Sequence, residues 1–375
     1  MLGFIWDVSP GIVRLGNFEL HWYSIFFALA FFLGYKILSS IYTSEGKNPE
    51  NVDDLSIYMF VAVLVGARVG HCVFYDWEYF SQHPLEILLP FRFDPAFEFT
   101  GFQGLASHGA AVGILLALYL YSRKHKDQSY LYILDRMVIV IALAGACIRM
   151  GNLMNSEIIG KPYSGFPSFI FAHPVEQKLK NDLKSSVILG VDFNTTGKDT
   201  TIMNKTVIPM DMTLHIKNVD SVEAFVKDAV WSSIFNWSEY GTYVMLPISL
   251  QNDGYQDLVL KNIETLPDQS YKVTTSLYGI PRHPAQLYEA ISCLILFLLL
   301  YRMYKRYGAS LPQGRIFGWF CIIVFGLRFF YEFLKENQVA FEDGMQWNMG
   351  QWLSIPLVVV GMITLYRSYT QKNVG

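Results

Sequence analysis

Charge is what this chain has least of. Of its 375 residues 16% are Asp, Glu, Lys or Arg and 52% are hydrophobic, where a soluble domain averages about 25% charged residues. With apolar runs of about 20 residues, that shortage excludes an ordinary soluble globular protein and predicts a polytopic membrane protein. The net charge of −3 comes with no basic tail or patch, so nothing points to nucleic acid. Cysteine is scarce as well: Cys72, Cys147, Cys293 and Cys321 fall in or beside apolar runs, and none lies in the polar middle of the chain. That placement argues against a disulfide framework or a zinc spacing. There is no glycine-rich phosphate loop and no His/Asp/Cys ligand set, so neither nucleotide nor metal is expected and no cofactor is implied. Met1 to Glu19 carries Asp7, Arg14 and Glu19 in place of a charged start followed by an apolar core, and is read as lacking a cleavable signal. No internal repeat is apparent.

What the chain does have is a succession of apolar stretches. His21 to Tyr42 opens with Trp22 and Tyr23, an interfacial aromatic pair. Leu55 to Tyr75 is interrupted by Gly66-Ala67-Arg68-Val69-Gly70-His71, and Leu105 to Tyr121 starts with small residues around His108. Leu131 to Met150, Pro284 to Tyr304, Gly314 to Leu334 and Met349 to Tyr369 complete a set of about seven expected transmembrane helices. Basic residues gather after the third stretch (Arg123, Lys124, Lys126), after the fifth (Arg302, Lys305, Arg306, Arg315) and in the tail (Arg367, Lys372). Of the short opposite loops, Asp76 to Gly104 holds only Arg92 and Lys335 to Asn348 only Lys335. By the positive-inside rule the N-terminus is then outside and the C-terminus cytoplasmic.

Between the fourth and fifth stretches the composition changes. Leu183 to Asp192, Thr201 to Ile216 and Tyr271 to Ser276 alternate apolar and polar residues and are rich in β-branched side chains, which reads as short strands. The expected architecture is an all-α polytopic membrane protein with an inserted small, mainly-β extracytoplasmic domain. Its parts are residues 1–170 (an outer N-terminal segment and transmembrane helices one to four), 171–277 (the inserted domain) and 278–375 (helices five to seven). Asn194, Asn204 and Asn236 match the glycosylation sequon, which in a bacterial protein carries no meaning.

The fourth apolar run leads directly into Arg149, Asn152, Asn155, Glu157 and Gly160. A charged side chain near hydrocarbon costs at least ~2.5 kcal/mol on insertion scales, so it is paired, hydrated or functional. Arginine with two asparagines is a donor-rich set suited to phosphate or carboxylate oxygens. A helix end snorkelling into headgroups would account for Arg149 alone; the carboxamides and carboxylate beside it favour a polar site at the membrane surface. His108 and Gly109 come next. Histidine suits general-base work near neutral pH, and small neighbours allow close approach of a helix or a ligand, though a packing or interfacial histidine is the alternative. Gln286 and Glu289 share a helix face and need partners, for which Arg149 or Arg328 is the candidate. Arg328 and Glu332 are spaced to pair along a helix, which could simply neutralise both. With Arg68 and the Gly350-Gln351 pair, arginines from different helices would form a pocket for an anionic headgroup.

These residues carry a resemblance. His21-Trp22-Tyr23, Gly66-Ala67-Arg68-Val69-Gly70 with Phe74-Tyr75, and Ser107-His108-Gly109 occur in the order found in the prolipoprotein diacylglyceryl transferase family. Arg149-Met150-Gly151-Asn152-Leu153-Met154-Asn155-Ser156-Glu157 resembles that family's signature, and Arg282-His283-Pro284-Ala285-Gln286-Leu287-Tyr288-Glu289 resembles a second family motif. Arg328 to Phe333 and Met349-Gly350-Gln351-Trp352-Leu353-Ser354 match its last two helices. The chain departs from the pattern at Ala110 (usually Gly), Leu153 (usually Phe) and His71 (usually Tyr), and Val324-Phe325 stands where a tyrosine usually precedes the arginine. The inserted domain is larger than the family's and lies outside the resemblance.

The resemblance implies a transferase of the bacterial inner membrane that moves diacylglyceryl from phosphatidylglycerol to the lipobox cysteine of a preprolipoprotein. A thioether forms and glycerol phosphate leaves. On this reading Arg149 and Arg328 hold the phosphate, and Asn152 and Asn155 donate to the headgroup. His108 is the candidate base, or alternatively a lipid-orienting residue. Tyr23, Arg68, Gly109, Gly160 and Gln286 line the substrate site, and Glu157, Glu289 and Glu332 hold its cations and amides in place. Phosphatidylglycerol, preprolipoprotein signal peptides and membrane lipids are the expected partners. The alternatives are a non-catalytic anionic-lipid-binding scaffold or transporter, whose broken midplane helices and inverted repeats are missing, and an intramembrane hydrolase, for which Ser107 beside His108 is the weak candidate nucleophile.

Overall fold

The computed structural model describes the chain except residues 1–2, 16–17, 90, 93–96, 100–103, 105, 203–204, 218, 239–242, 246–259, 338–341, 343 and 371–375. Leu105, Asn204 and Lys372, named above, lie outside the described residues, as does the side chain of Ser107.

Strands β1 (Phe4–Trp6), β2 (Gly11–Leu15) and β3 (Phe18–His21) lead into helices α1 (Trp22–Ser44) and α2 (Glu50–Phe74). Short helices α3 (Trp77–Gln82) and α4 (Leu85–Leu88) and short strands β4 (Phe91–Arg92) and β5 (Glu98–Phe99) precede α5 (Ser107–Lys124) and α6 (Tyr130–Met154). The middle of the chain holds β6 (Phe169–Phe171), α7 (His173–Leu183), β7 (Ile188–Thr195), β8 (Thr200–Ile202) and β9 (Lys205–Ile216). It continues with α8 (Val222–Phe225), α9 (Trp231–Ser238), β10 (Val244–Met245), β11 (Leu260–Thr265) and β12 (Tyr271–Gly279). Helices α10 (Ala285–Tyr307), α11 (Arg315–Tyr331) and α12 (Met349–Thr370) complete the chain.

Six of these helices, α1, α2, α6, α10, α11 and α12, are long and apolar enough to cross a membrane. The protein is a mostly helical, multi-pass membrane protein with a small β-sheet region. Helix α5 falls outside the six: its 18 residues include His108 near the start and Arg123 and Lys124 in the last turn. Helix α2 starts ahead of its apolar run because Glu50 and Asp53 occupy the first turn, where the helix dipole favours carboxylates.

The chain divides into two compact units. One comprises Ala28–Gly145, Cys293–Gly326 and Leu353–Gly375. Its apolar core includes Tyr42, Leu118, Ile139, Leu300 and Ile316, and a buried ion pair joins Arg136 to Glu45 at 2.7 Å. Helices α2 and α5 meet through glycines there: a Cβ on Gly66 would lie 2.6 Å from the Gly109 carbonyl oxygen. Small-residue contact of this kind lets two backbones pack without side chains between them.

The other unit comprises Met1–Phe27, Ala146–Ser292 and Leu327–Trp352. Its sheet has the order β10-β12-β9-β7, antiparallel throughout, with β11 on β12 and β8 on β9. Alternation along β9 and β12 turns Met210, Met212, Leu214, Val273 and Leu277 into a buried layer. Two sequence expectations change here. The strand expected from Leu183 starts only at Ile188: Leu183 is the last residue of α7, where Val175, Leu179 and Leu183 recur every fourth residue as an apolar stripe, and Lys184 to Val187 form a turn. The stretch from Thr201 is also two strands, since Thr200↔Val207 and Ile202↔Lys205 pair as a hairpin. Helices α8 and α9 were not legible in the alternation pattern.

Candidate active site

Backbone pairing first brings distant parts of the sequence together. Parallel strands β1 and β6 pair Trp6 with Phe171, and Trp6 Nε1 donates to the Leu153 carbonyl at 3.0 Å, just beyond the signature arginine. Phe169 and Arg282 exchange backbone hydrogen bonds of 2.9 Å, and His283 N–H donates to the Lys161 carbonyl at 3.1 Å. Gly160 bridges Lys335, with Lys161 N–H to Leu334 O at 2.7 Å and Glu336 N–H to Ile159 O at 3.2 Å. The segments after α6, before α10 and after α11 are thereby tied into one irregular platform. Gly160 is needed in it: a Cβ there would lie 2.3 Å from the His283 carbonyl oxygen and 2.5 Å from its Cβ. Gly160→Ala must therefore shift backbone. We expect it to lower thermal stability by about 1–3 kcal/mol, measurable by unfolding of the detergent-solubilised protein, with activity falling alongside.

On this platform lies a chain of alternating charges. Arg149 Nε pairs with Glu289 Oε2, and Glu289 Oε1 pairs in turn with Lys335 Nζ. Lys335 Nζ donates to Glu332 Oε1 at 3.1 Å, and Arg328 Nε stands 3.8 Å from the same oxygen. Lys335, Glu289 and Glu332 are 2%, 7% and 8% exposed, a burial that isolated charges would not sustain. Alternation of sign resolves it, and an arginine stands at each end. Asn348 steadies the far carboxylate, donating from Nδ2 to Glu332 Oε2 at 2.9 Å. Asn348 is itself fixed as the N-cap of α12: Gln351 N–H donates to its Oδ1 and its own N–H donates to Gln351 Oε1, each at 3.0 Å, a reciprocal capping arrangement.

At the near end, α6 runs on through Met154, so Arg149 and Asn152 sit one turn apart and Nη1 donates to Asn152 Oδ1 at 3.1 Å. The amide groups of Asn152 and Asn155 both donate to Glu157 Oε1, at 2.7 and 3.2 Å. Gln286 Nε2 donates to the Glu157 carbonyl at 2.6 Å. Tyr23, the second residue of α1, packs its ring against Gly151. Arg282 is buried and donates to Gly160 O at 2.8 Å and to Glu336 Oε1 at 2.6 Å. His283 stacks on Tyr163 at 3.8 Å, and burial holds its imidazole below the ordinary pKa, favouring the neutral ring.

Of the residues singled out from sequence, Tyr23, Arg149, Asn152, Asn155, Glu157, Gly160, Gln286, Glu289, Arg328 and Glu332 thus share one compact unit. Arg68, His108 and Gly109 belong to the other. There His108 is exposed, and buried Arg68 donates to the Ile87 and Glu86 carbonyls at 3.2 and 2.8 Å while lying over the Phe80 ring. Sequence reasoning missed Lys335 and Asn348. Lys335 was counted only as a loop charge; its signal was the three-residue step from Glu332. Among the described residues one trio has metal-ligand character, Asp7, His173 and Glu176. Within it His173 Nδ1 is 3.3 Å from Glu176, which also binds Lys180 at 2.6 Å. Burial pushes Asp7 up and Glu176 adds to it; burial also acts to raise Glu176, but His173 and Lys180 outweigh it and hold that carboxyl low.

Residues 10–367 match the family model described as prolipoprotein diacylglyceryl transferase. The chain belongs to that family. Similar relatives named phosphatidylglycerol–prolipoprotein diacylglyceryl transferase come from Bacteroides fragilis, 30% identical over all of this chain and 98% of the relative, and from Tolumonas auensis, 30% identical over 98% of each. One from Chloroherpeton thalassium is 28% identical over 98% of this chain and 95% of its own length. The match to diacylglyceryl transferases therefore runs through the inserted sheet as well as the apolar helices.

Proposed function

We infer that this protein transfers the diacylglyceryl group of phosphatidylglycerol to the cysteine thiol of prolipoproteins. The observation that carries the reading is the family match over residues 10–367, in which the charged platform is embedded. In the reaction the cysteine sulfur bonds to the glycerol carbon as that carbon's bond to the phosphate oxygen breaks. Glycerol phosphate departs with an added negative charge. Arg149 and Arg328, at the two ends of the ion-pair chain, are assigned to the phosphate, where preorganised cations lower the barrier to developing charge. Each of Asn152 and Asn155 uses its amide on Glu157, and an –NH2 group has a second hydrogen for a headgroup oxygen. Tyr23, Gln286, Gly160, Gly109 and Arg68 complete the substrate-binding set, with Glu157, Glu289 and Glu332 orienting it. A thiol of pKa ~8.5 is only slightly ionised at neutral pH, so a base assists, and His108 is assigned that role.

The proposed setting is the bacterial inner membrane. The basic ends of α5, α10 and α12 (Arg123 and Lys124; Lys305 and Arg306; Arg367) support α5 as a seventh span, with the N-terminus outside and the C-terminus in the cytoplasm. Residues 171–277 then form the extracytoplasmic domain between the helical parts 1–170 and 278–375, and signal peptides and membrane lipids meet the protein at that surface.

The test is mass spectrometry of a lipobox peptide incubated with purified protein and phosphatidylglycerol. A thioether-linked diacylglyceryl adduct is expected. Phosphatidylglycerol binding without an adduct would make the protein a lipid-binding scaffold. Ser107→Ala is expected to change the rate less than about twofold, because the sulfur is the nucleophile and no serine ester is needed; an inactive variant would favour a hydrolase.

A further inference from the structure

We propose that Lys335 is a positioning residue for the transfer reaction, holding Glu289 and Glu332 so that Arg149 and Arg328 keep capacity for the lipid phosphate. The proposal rests on the assignment of those arginines to the phosphate. Each carboxylate touches two cations, and Lys335 is the cation they have in common: Nζ contacts Glu289 Oε1 and lies 3.1 Å from Glu332 Oε1. It is 2% exposed, and the Gly160↔Lys335 bridge fixes its backbone to the segment that follows Arg149 and Glu157. Its buried ammonium is held between the two carboxylates.

Removing that charge leaves two buried carboxylates with one cation each. Glu332 would then draw in Arg328, now 3.8 Å away, and Glu289 would hold Arg149 alone. Both guanidiniums would be spent within the protein, since a buried carboxylate without compensation recruits the nearest cation. Lys335 thus acts through the arginines. A guanidinium at 335 can also address two carboxylates through its fork of donors, whereas an apolar side chain of similar length cannot.

The experiment uses the full-length protein in detergent with phosphatidylglycerol and a lipobox peptide, reading adduct formation and, separately, phosphatidylglycerol affinity. Lys335→Met is expected to lower kcat/KM for the lipid on the order of 100-fold, with affinity at least about tenfold weaker, and Lys335→Arg to stay within about fivefold of wild type. The double variant Lys335→Met/Glu332→Gln, which removes one carboxylate along with the lysine, should recover at least about tenfold over the single variant. A packing role predicts no such recovery. Wild-type kinetics in Lys335→Met would overturn the proposal, as would a loss shared by Lys335→Arg and unrelieved in the double variant. If Lys335→Met fails to fold, the charge-balanced double variant is expected to fold and bind the lipid, and its failure would also overturn the proposal. Should wild-type protein bind phosphatidylglycerol without forming adduct, the transferase reading fails while the affinity series still decides the role of Lys335.

Discussion

Arg149→Ala is expected to lower diacylglyceryl transfer on the order of 1000-fold while the protein remains folded and inserted. The size follows from what the guanidinium faces: a departing phosphate that gains charge, where removal of one preorganised donor costs about 100- to 1000-fold. The fold should survive because Glu289, the buried partner of Arg149, also pairs with Lys335. Arg149→Lys should recover little, and that is the sharper form of the prediction. Arg149 uses Nε on Glu289 and Nη1 on Asn152, which leaves the remaining donors of one planar group directed elsewhere. A single ammonium cannot hold a carboxylate and a carboxamide in that geometry and still reach a phosphate. Rates of peptide adduct formation for the two variants, measured beside the amount of monodisperse protein extracted, check it. Full transfer by Arg149→Ala would remove the charge-stabilisation account.

The apolar helices were legible in the sequence because membrane insertion depends on a run's own composition, and α6, α10 and α12 begin and end within a few residues of the hydropathy reading. Helix α5 is the marginal case for the same reason: His108, Arg123 and Lys124 weigh heavily in so short a helix. Arg149, Asn152, Glu157, Glu289, Arg328 and Glu332 were legible as polar groups out of place against hydrocarbon. Two of their pairings were legible as well, Glu289 with Arg149 and Arg328 with Glu332, but the lysine that joins them was not. A pairing such as Glu289 with Lys335 depends on three irregular segments meeting through backbone bonds, and no periodicity records that meeting. Lys335 was counted only as a loop charge, since its burial comes from tertiary packing around Gly160. In the sheet, β12 was found because alternation is local, while α7 was lost because its stripe of Val175, Leu179 and Leu183 lies in a segment of low average hydrophobicity.

Arg328→Ala is expected to lower transfer about 100-fold, and here Arg328→Lys should restore most of it. Glu332 already receives Lys335 at 3.1 Å and Asn348 at 2.9 Å, so Arg328, standing 3.8 Å off, is not needed to neutralise that carboxylate. Its side chain is 41% exposed, and its Nε makes no hydrogen bond among the described residues. A cation held this loosely acts as a charge directed at substrate more than as a fixed fork, and lysine can supply a charge. The contrast with Arg149 is therefore the informative quantity. Rescue by lysine at 328 but not at 149 means that one arginine positions the phosphate while the other mainly lends charge. Equal loss in both lysine variants would mean that Arg328 also binds through its guanidinium plane. If Arg328→Ala lost stability in thermal unfolding but kept its rate, Arg328 would instead belong with the residues that neutralise Glu332, and the phosphate would rest on Arg149 alone.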